Sequence, residues 1–290
     1  MAFPFSAGED FARTPLPAGA CDCHIHLYDG RVPAAPGAKL FPPDASVRDY
    51  RQIQSRMGTM RAVVVTPSTY GCDNTAMLYG LADLGDDARG VAVISGRESQ
   101  AHLRDLHARG VRGARINLSL GTTHDESSIG QVAEVIAPLG WHLQLLMPPD
   151  RLPALAGLLA RLPVDIVFDH MGRSDPEDFR DRPSHRLLLD WLSAGRAWIK
   201  LSGGYLVSRI HSSEDPRLDA LARSFIEVAP DRVVWGSDWP HATASAGLQP
   251  MPDDARQIDA LARWAVDSRL LEKILVHNPE RLYGFPSLRT

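Results

Sequence analysis

The segment A-C-D-C-H-I-H at residues 20–26 has the length and composition of a buried β-strand, and it carries two histidines two residues apart. Seven further runs rich in β-branched or aliphatic residues follow, each separated from the next by enough residues for one helix and two loops. They lie at 62–66, 91–95, 114–118, 141–147, 165–170, 197–202 and 232–238. This alternation predicts a parallel sheet closed into a single (β/α)8 TIM barrel, with an open doubly wound sheet as the alternative.

We expect one barrel domain over residues 1–290, with an N-terminal extension at 1–18. Residues 27–47 are rich in Pro and Gly, so the first βα connection is predicted to be an irregular loop over the barrel mouth that distorts the barrel. Apolar periodicity and end signals predict helices at 98–109 and after Asp150.

Composition excludes several classes of protein. The chain has 31 Lys+Arg and 35 Asp+Glu, a formal charge of −4, so it lacks the basic surface that nucleic acid binding requires. No apolar run approaches the 18 residues of a membrane span, and residues 1–20 do not resemble a secretory signal. Three cysteines are too few for a disulfide framework, which favours the cytoplasm, and we interpret the thiols of Cys21 and Cys23 as buried packing.

The first run carries the pattern H-x-H. Strict alternation along a strand would direct the side chains of Asp22, His24 and His26 to one face, into the barrel, and those of Cys21 and Cys23 to the other. Because burying two adjacent imidazoles is costly, we interpret this pair as functional rather than as core histidines.

Two other strands end on ionisable residues. The sixth run ends at His170, and the eighth places Asp238 where the strand meets its loop. Because chemistry in such barrels lies at the C-terminal ends of the strands, three imidazoles and one carboxylate are expected to meet at the mouth. That combination is typical of a hydrolytic site.

Several motifs carry a resemblance to a known family. These are C-D-C-H-I-H (21–26), S-T-Y-G-C-D-N (68–74), G-V-R-G-A-R-I-N (110–117), F-D-H-M-G-R (168–173), W-G-S-D-W-P-H (235–241) and H-N-P-E-R-L-Y-G-F (277–285). Taken together and in this order, they resemble the amidohydrolase superfamily, and within it the 2-pyrone-4,6-dicarboxylate lactonase-like subgroup. The resemblance covers essentially the whole chain and implies a hydrolase acting on carboxylic ester bonds.

The resemblance raises the question of a metal. Most amidohydrolases also use a histidine that ends the fifth strand, whereas here His142 lies near the start of that strand, and the fourth strand carries Arg115 where a bridging anion would be. A guanidinium repels a divalent cation in a low-dielectric pocket, so we expect no cofactor. The alternative is one divalent ion, zinc or manganese, held by three histidines and a carboxylate: His24, His26, His170 and Asp238.

For a metal-free site the resemblance implies the following roles. Asp238 acts as general base, with a pKa that burial is expected to raise. His24, His26 and His170 stabilise the oxyanion. Arg115 and Arg173 bind a substrate carboxylate. A polar wall is formed by three residues after the second strand, Ser68, Tyr70 and Asn74.

Three departures from the subgroup pattern concern substrate recognition. A second arginine of the subgroup is replaced near Gly121, an aromatic residue by Leu146, and an asparagine by Thr243. We therefore expect a small anionic lactone with fewer or differently placed carboxylates, handled by a monomer or homodimer without nucleic acid or membrane partners. The other hypotheses are a metal-dependent decarboxylase or hydrolase acting on an aromatic or muconate-type carboxylate, and a barrel that binds a metabolite without turnover.

Overall fold

A computed structural model describes residues 2–120 and 123–287 and contains the eight-stranded parallel barrel predicted from the sequence. The strands are β1 (Cys21–Ile25), β2 (Arg61–Val65), β3 (Ala88–Ala92), β4 (Val111–Asn117), β5 (His142–Leu146), β6 (Ile166–Phe168), β7 (Ala197–Leu201) and β8 (Val233–Trp235). Each strand pairs in parallel with the next, and a bridge between Ile25 and Trp239 brings the last strand end against the first. The doubly wound alternative is therefore wrong.

Helices connect the strands and extend beyond β8. They are α1 (Val47–Met57), α2 (Thr75–Leu84), α3 (Gln100–Ala108), α4 (Ser128–Ile136), α5 (Leu152–Leu159), α6 (Pro183–Ser193), α7 (Gly204–Val207), α8 (Arg217–Val228), α9 (Ala242–Ser245), α10 (Asp254–Ala265), α11 (Ser268–Glu272) and α12 (Asn278–Tyr283). The two helices predicted at 98–109 and after Asp150 are α3 and α5. Residues 27–46 contain no helix, as their Pro and Gly content predicted.

The predicted alternation along β1 is wrong at one point. Asp22 pairs with Ala62 but Ile25 pairs with Val64, so β1 has one extra residue, a β-bulge, between these positions. The bulge leaves Asp22 on the outer face, where Tyr50 of α1 and Ser237 donate hydrogen bonds to its carboxylate. His24 and His26 both remain on the inner side of the barrel.

The strands separate two apolar regions. Their outward faces pack against the helices in the main core, and a smaller cluster inside the barrel contains Cys21, Cys23, Val65, Tyr283 and Phe285. The thiols of Cys21 and Cys23 are buried as predicted, whereas Cys72 is exposed. The predicted direction of the two thiols is wrong, because the bulge lets Cys21, Cys23, His24 and His26 all face the interior of the barrel. Among the described residues, no helix combines the length and the apolar character that crossing a bilayer would require. The boundaries predicted for the domain and its N-terminal extension stay predictions.

Candidate active site

A cavity of about 220 Å³ opens at the C-terminal ends of the strands. Its wall includes five of the predicted site residues with side chains that carry charge or titrate, namely His26, Arg115, His170, Arg173 and Asp238, together with Ser68. Leu146 and Thr243 also line the cavity, whereas Gly121 lies outside the described residues. The structure thus brings residues from β1, β4, β6 and β8 together at one cavity.

Asp238 lies at the centre of the polar groups. Its Oδ1 is 3.6 Å from His24 Nε2, 3.7 Å from His26 Nε2 and 3.8 Å from His170 Nε2, and its Oδ2 accepts a hydrogen bond of 2.7 Å from the Tyr205 hydroxyl. Burial alone would raise its pKa, but the histidines and Tyr205 favour the carboxylate and lower the pKa to about 2. The expected rise was wrong, because these polar partners outweigh the apolar surroundings.

The three histidines have different partners. His26 Nδ1 donates to the Val65 carbonyl oxygen at 2.7 Å, and His170 Nδ1 lies 2.9 Å from Ser202 Oγ. Burial lowers the pKa of His26 to about 4 and lowers those of His24 and His170 as well, so the imidazoles are neutral at pH 7. His24 is fully buried and lies behind the cavity wall, in contact with the other site residues rather than with the open space.

The two arginines differ in their surroundings. Arg115, on β4, is buried, and its Nε donates to Asp169 Oδ2 at 3.1 Å. Arg173 follows β6, and the described residues provide neither a hydrogen bond nor an ion pair for its guanidinium. Arg173 is thus the guanidinium on the cavity wall that is free to bind an anion, whereas Arg115 is paired with Asp169.

Two of the three residues predicted for the polar wall do not reach the cavity. Ser68 lines it and accepts a hydrogen bond from Asn117 Nδ2. The Tyr70 hydroxyl instead accepts a hydrogen bond from the Asp29 backbone N–H and donates one to the Asp29 carbonyl oxygen. The Asn74 side-chain amide forms hydrogen bonds with the Thr66 hydroxyl and with the backbone of Val93. The role predicted for Tyr70 and Asn74 is corrected to that of loop anchors, because their polar atoms are used within the fold.

Sequence reasoning missed a buried network beneath the cavity. Gln144 on β5, Asp169 directly after β6 and Lys200 on β7 are buried on the inner side of the barrel. The Gln144 Nε2 donates to Asp169 Oδ2 at 3.1 Å, and Lys200 Nζ donates to Gln144 Oε1 at 2.7 Å. Burial lowers the pKa of Lys200 to about 8, while Asp169, despite its own burial, is held well below its usual pKa by His24 and Lys200. The signal available in the sequence was a lysine in the otherwise apolar run 197–201.

Glycines make the close approach of the site residues feasible. Gly236 follows β8 directly against His24, where an added Cβ would lie 2.6 Å from the His24 Cβ. Gly203, with φ +59°, follows β7, and a Cβ there would lie 2.6 Å from His170 Nδ1. Both histidines therefore depend on a neighbouring residue without a side chain.

The donor set resembles a metal site only in part. His24, His26 and Asp238 place one ligand atom each within 4.8 Å of one another, as do His24, Asp169 and His170. His26 Nε2 and Asp238 Oδ1 both have lone pairs available. His24 Nδ1 lies 3.3 Å from the Lys200 ammonium and 3.3 Å from Asp169 Oδ1. The donor types fit a divalent ion, and binding through His24 Nε2 requires the ring proton to be on Nδ1.

The barrel and the cluster of imidazoles around one carboxylate define the class as a TIM-barrel hydrolase with its site at the strand ends. The family model described as amidohydrolase matches residues 21–285. This chain therefore belongs to the amidohydrolase family, and the family resemblance and hydrolase class predicted from the motifs are confirmed.

Individual relatives agree with this assignment. The chain is 35% identical to the 2-pyrone-4,6-dicarboxylate hydrolase of Comamonas testosteroni, with 92% of this chain and 91% of the relative covered. It is 34% identical to a 4-sulfomuconolactone hydrolase of Rhizobium radiobacter, with 93% and 91% covered. A crystal structure of an Agrobacterium tumefaciens protein in its apo form superposes with a TM-score of 0.87 at 28% identity, covering 96% of this chain and all of that one.

Proposed function

We propose that this enzyme hydrolyses a small carboxylated lactone by general-base activation of water, without a metal ion. The observation that carries the proposal is the position of Asp238 Oδ1, which faces His26 and His170 at one end of a cavity whose wall also carries Arg173. A carboxylate base beside a cationic wall suits an ester with an anionic substituent.

In the proposed reaction, water attacks the lactone carbonyl carbon while one of its protons moves to Asp238 Oδ1. The carbonyl oxygen becomes an oxyanion, and the ring C–O bond then breaks as the leaving alkoxide takes a proton back from Asp238. One water is consumed, and the product is a hydroxy acid. With its low pKa, Asp238 is ionised at neutral pH and able to accept the proton, but it is a weak base, so much of the rate must come from stabilising the oxyanion.

The histidines divide into donor and acceptor in this scheme. Because His26 Nδ1 donates to Val65, the neutral ring presents its Nε2 as an acceptor, which cannot stabilise an oxyanion and lies 3.3 Å from His24 Nε2. His170 becomes an Nε2–H donor when the Ser202 hydroxyl donates to its Nδ1. We therefore assign the oxyanion contact to His170, whereas His24 and His26, whose Nε2 atoms face each other and Asp238 Oδ1, hold the carboxylate in position.

The substrate class is inferred from the cavity and the relatives. The two relatives are named for hydrolysis of a pyrone dicarboxylate and a sulfomuconolactone, which are both small anionic lactones. The wall of this cavity has one unpaired guanidinium, at Arg173, and presents Leu146 and Thr243 at positions where the dicarboxylate pattern has polar or aromatic groups. A lactone with a single principal anionic substituent fits this wall better than a dicarboxylate.

A panel of muconolactones, aldarolactones and pyrone carboxylates tests the proposal. Ring opening is followed by the acid that is released, with and without a chelator. We expect carboxylated members to react, neutral lactones to react poorly, and the chelator to have no effect. Loss of carbon dioxide from an aromatic carboxylate, with no lactone opened, would replace this proposal by the decarboxylase hypothesis.

A further inference from the structure

Lys200, His24 and His26 form a continuous line of hydrogen bonds behind the cavity. The Lys200 ammonium has three N–H donors. Two of them bind the Cys23 carbonyl oxygen at 2.8 Å and Gln144 Oε1 at 2.7 Å, and the third faces His24 Nδ1 at 3.3 Å. The Gln144 amide cannot turn around without losing its bond to Asp169, so its oxygen stays directed at Lys200.

The two ends of this line require the same placement of protons. Because Lys200 donates to His24 Nδ1, the neutral ring of His24 carries its proton on Nε2. Because His26 Nδ1 donates to Val65, the Nε2 of His26 is an acceptor. The two Nε2 atoms are 3.3 Å apart, so the N–H of His24 faces the acceptor nitrogen of His26. Lys200 at one end and the Val65 carbonyl oxygen at the other favour this arrangement independently.

Asp169 offers His24 a second partner. Its Oδ1 is 3.3 Å from His24 Nδ1, yet within the described part of the chain it accepts no hydrogen bond. A histidine that ligates a metal usually donates its other ring N–H to a carboxylate or a carbonyl. Asp169 would favour that state of His24, with Nδ1 protonated and Nε2 free, and Lys200 favours the opposite one.

We propose that Lys200 is a positioning residue that fixes the His24 proton on Nε2 and thereby prevents the group His24, His26 and Asp238 from binding a divalent cation. This inference rests on the proposed metal-free function and deepens it. With Lys200 removed, His24 Nδ1 donates to Asp169, its Nε2 lone pair becomes available, and the three ligand atoms form a metal site.

The wild-type protein tests the tautomer directly. Long-range ¹H–¹⁵N spectra of protein labelled with ¹⁵N-histidine distinguish protonated from unprotonated ring nitrogens, and the signals are assigned with His24→Gln and His26→Gln. We expect His24 protonated on Nε2 and His26 protonated on Nδ1. A His24 ring protonated on Nδ1 at neutral pH would overturn the inference, whatever the substrate of the enzyme is.

Metal affinity of the variant Lys200→Met provides the second test. Titration calorimetry with Zn²⁺ and with Mn²⁺, and the metal content after gel filtration, should show binding at least ~100-fold tighter than in the wild type. Lys39→Met is the matched control, because it removes a lysine charge from the cavity wall without touching His24. Equal tightening in both variants would mean that charge alone, rather than the tautomer, governs binding.

Two further outcomes keep the tests separate. A folded Lys200→Met with unchanged metal affinity would overturn the inference, and adding His24→Gln to that variant should abolish any gain. If Lys200→Met does not fold, the wild-type spectra alone decide. Failure of the lactone panel would remove the proposed reaction but leave the tautomer result intact, so the two proposals fail separately.

Discussion

The mouth and the floor of the barrel both bury a histidine on the inner face of a strand, but only the mouth gives its histidines partners. His26 and His170 each have a hydrogen-bond partner at Nδ1 and a carboxylate near Nε2. At the floor, His142 begins β5, and neither of its ring nitrogens has a partner among residues 2–120 and 123–287. Burial and the charge of Lys200 lower the pKa of His142 to about 3. The surrounding polar groups, rather than the histidine itself, distinguish a site from a packing position.

The largest expected effect comes from the mouth. Asp238→Asn removes the carboxylate that accepts the water proton, so turnover should fall at least ~100-fold, with a much smaller change in substrate binding. Steady-state kinetics on the best lactone of the panel measure both quantities. Near-normal turnover in a folded variant would remove Asp238 from the base role.

Arg115→Met should reduce stability. It leaves the Asp169 carboxylate buried without its guanidinium, and breaking a buried ion pair costs about 3–5 kcal/mol in unfolding free energy. Urea unfolding measures this loss. The double variant Arg115→Met with Asp169→Asn should recover part of it, because no uncompensated carboxylate remains. If the single variant were as stable as the wild type, the ion pair between Arg115 and Asp169 would not contribute to the free energy of unfolding.

Arg173→Met should affect binding alone, since this guanidinium has no ion pair in the described chain. Loss of a hydrogen bond to a charged group costs about 1.5–3 kcal/mol, so KM should rise about 10- to 100-fold with little change in kcat or in unfolding free energy. A collapse of kcat at constant KM would instead assign Arg173 to the oxyanion.

The smallest effect on catalysis is expected at the floor, for His142→Leu. We expect kcat/KM to stay within about twofold of the wild type. Because the folded pKa of His142 is about 3 and the unfolded pKa is about 6.5, the unfolded chain takes up a proton between these values that the folded chain does not. This histidine therefore makes the wild type lose stability as the pH falls through that range.

As the pH falls, the unfolding free energy of His142→Leu should decrease less steeply than that of the wild type. The difference in slope is up to about 1.4 kcal/mol per pH unit for the one proton involved. Urea unfolding between pH 4 and pH 7 compares the two proteins. Parallel curves would mean that His142 is protonated equally in both states, and the contrast between the two ends of the barrel would disappear.

The eight strands were predictable because each is an apolar run of suitable length, and the position of His170 and Asp238 followed from their place at strand ends. β3 begins at Ala88 rather than at residue 91, since Arg89 and Gly90 interrupt the apolar pattern without interrupting the strand. The bulge in β1 was not predictable, because an extra residue between Asp22 and Ile25 depends on pairing with β2.

The network below the cavity shows more clearly what the sequence alone does not predict. Lys200, Gln144 and Asp169 come from three strands, and only closure of the barrel places their polar atoms within hydrogen-bonding distance. The low pKa of Asp238 has the same origin, since it depends on three imidazoles and a tyrosine from other elements. Motifs identified the residues at the strand ends, but the hydrogen bonds and ion pairs across the barrel follow from the three-dimensional arrangement.

The packing of Tyr283 and Phe285 against Cys21 and Cys23 has a consequence for synthesis on the ribosome. The interior of the barrel joins residues from the first strand to residues about 260 positions later in the chain. During translation, Tyr283 and Phe285 can pack against the inner face of the first strand only after residue 285 has left the exit tunnel. Until then, nascent chains carry an open apolar interior, the kind of surface that molecular chaperones bind.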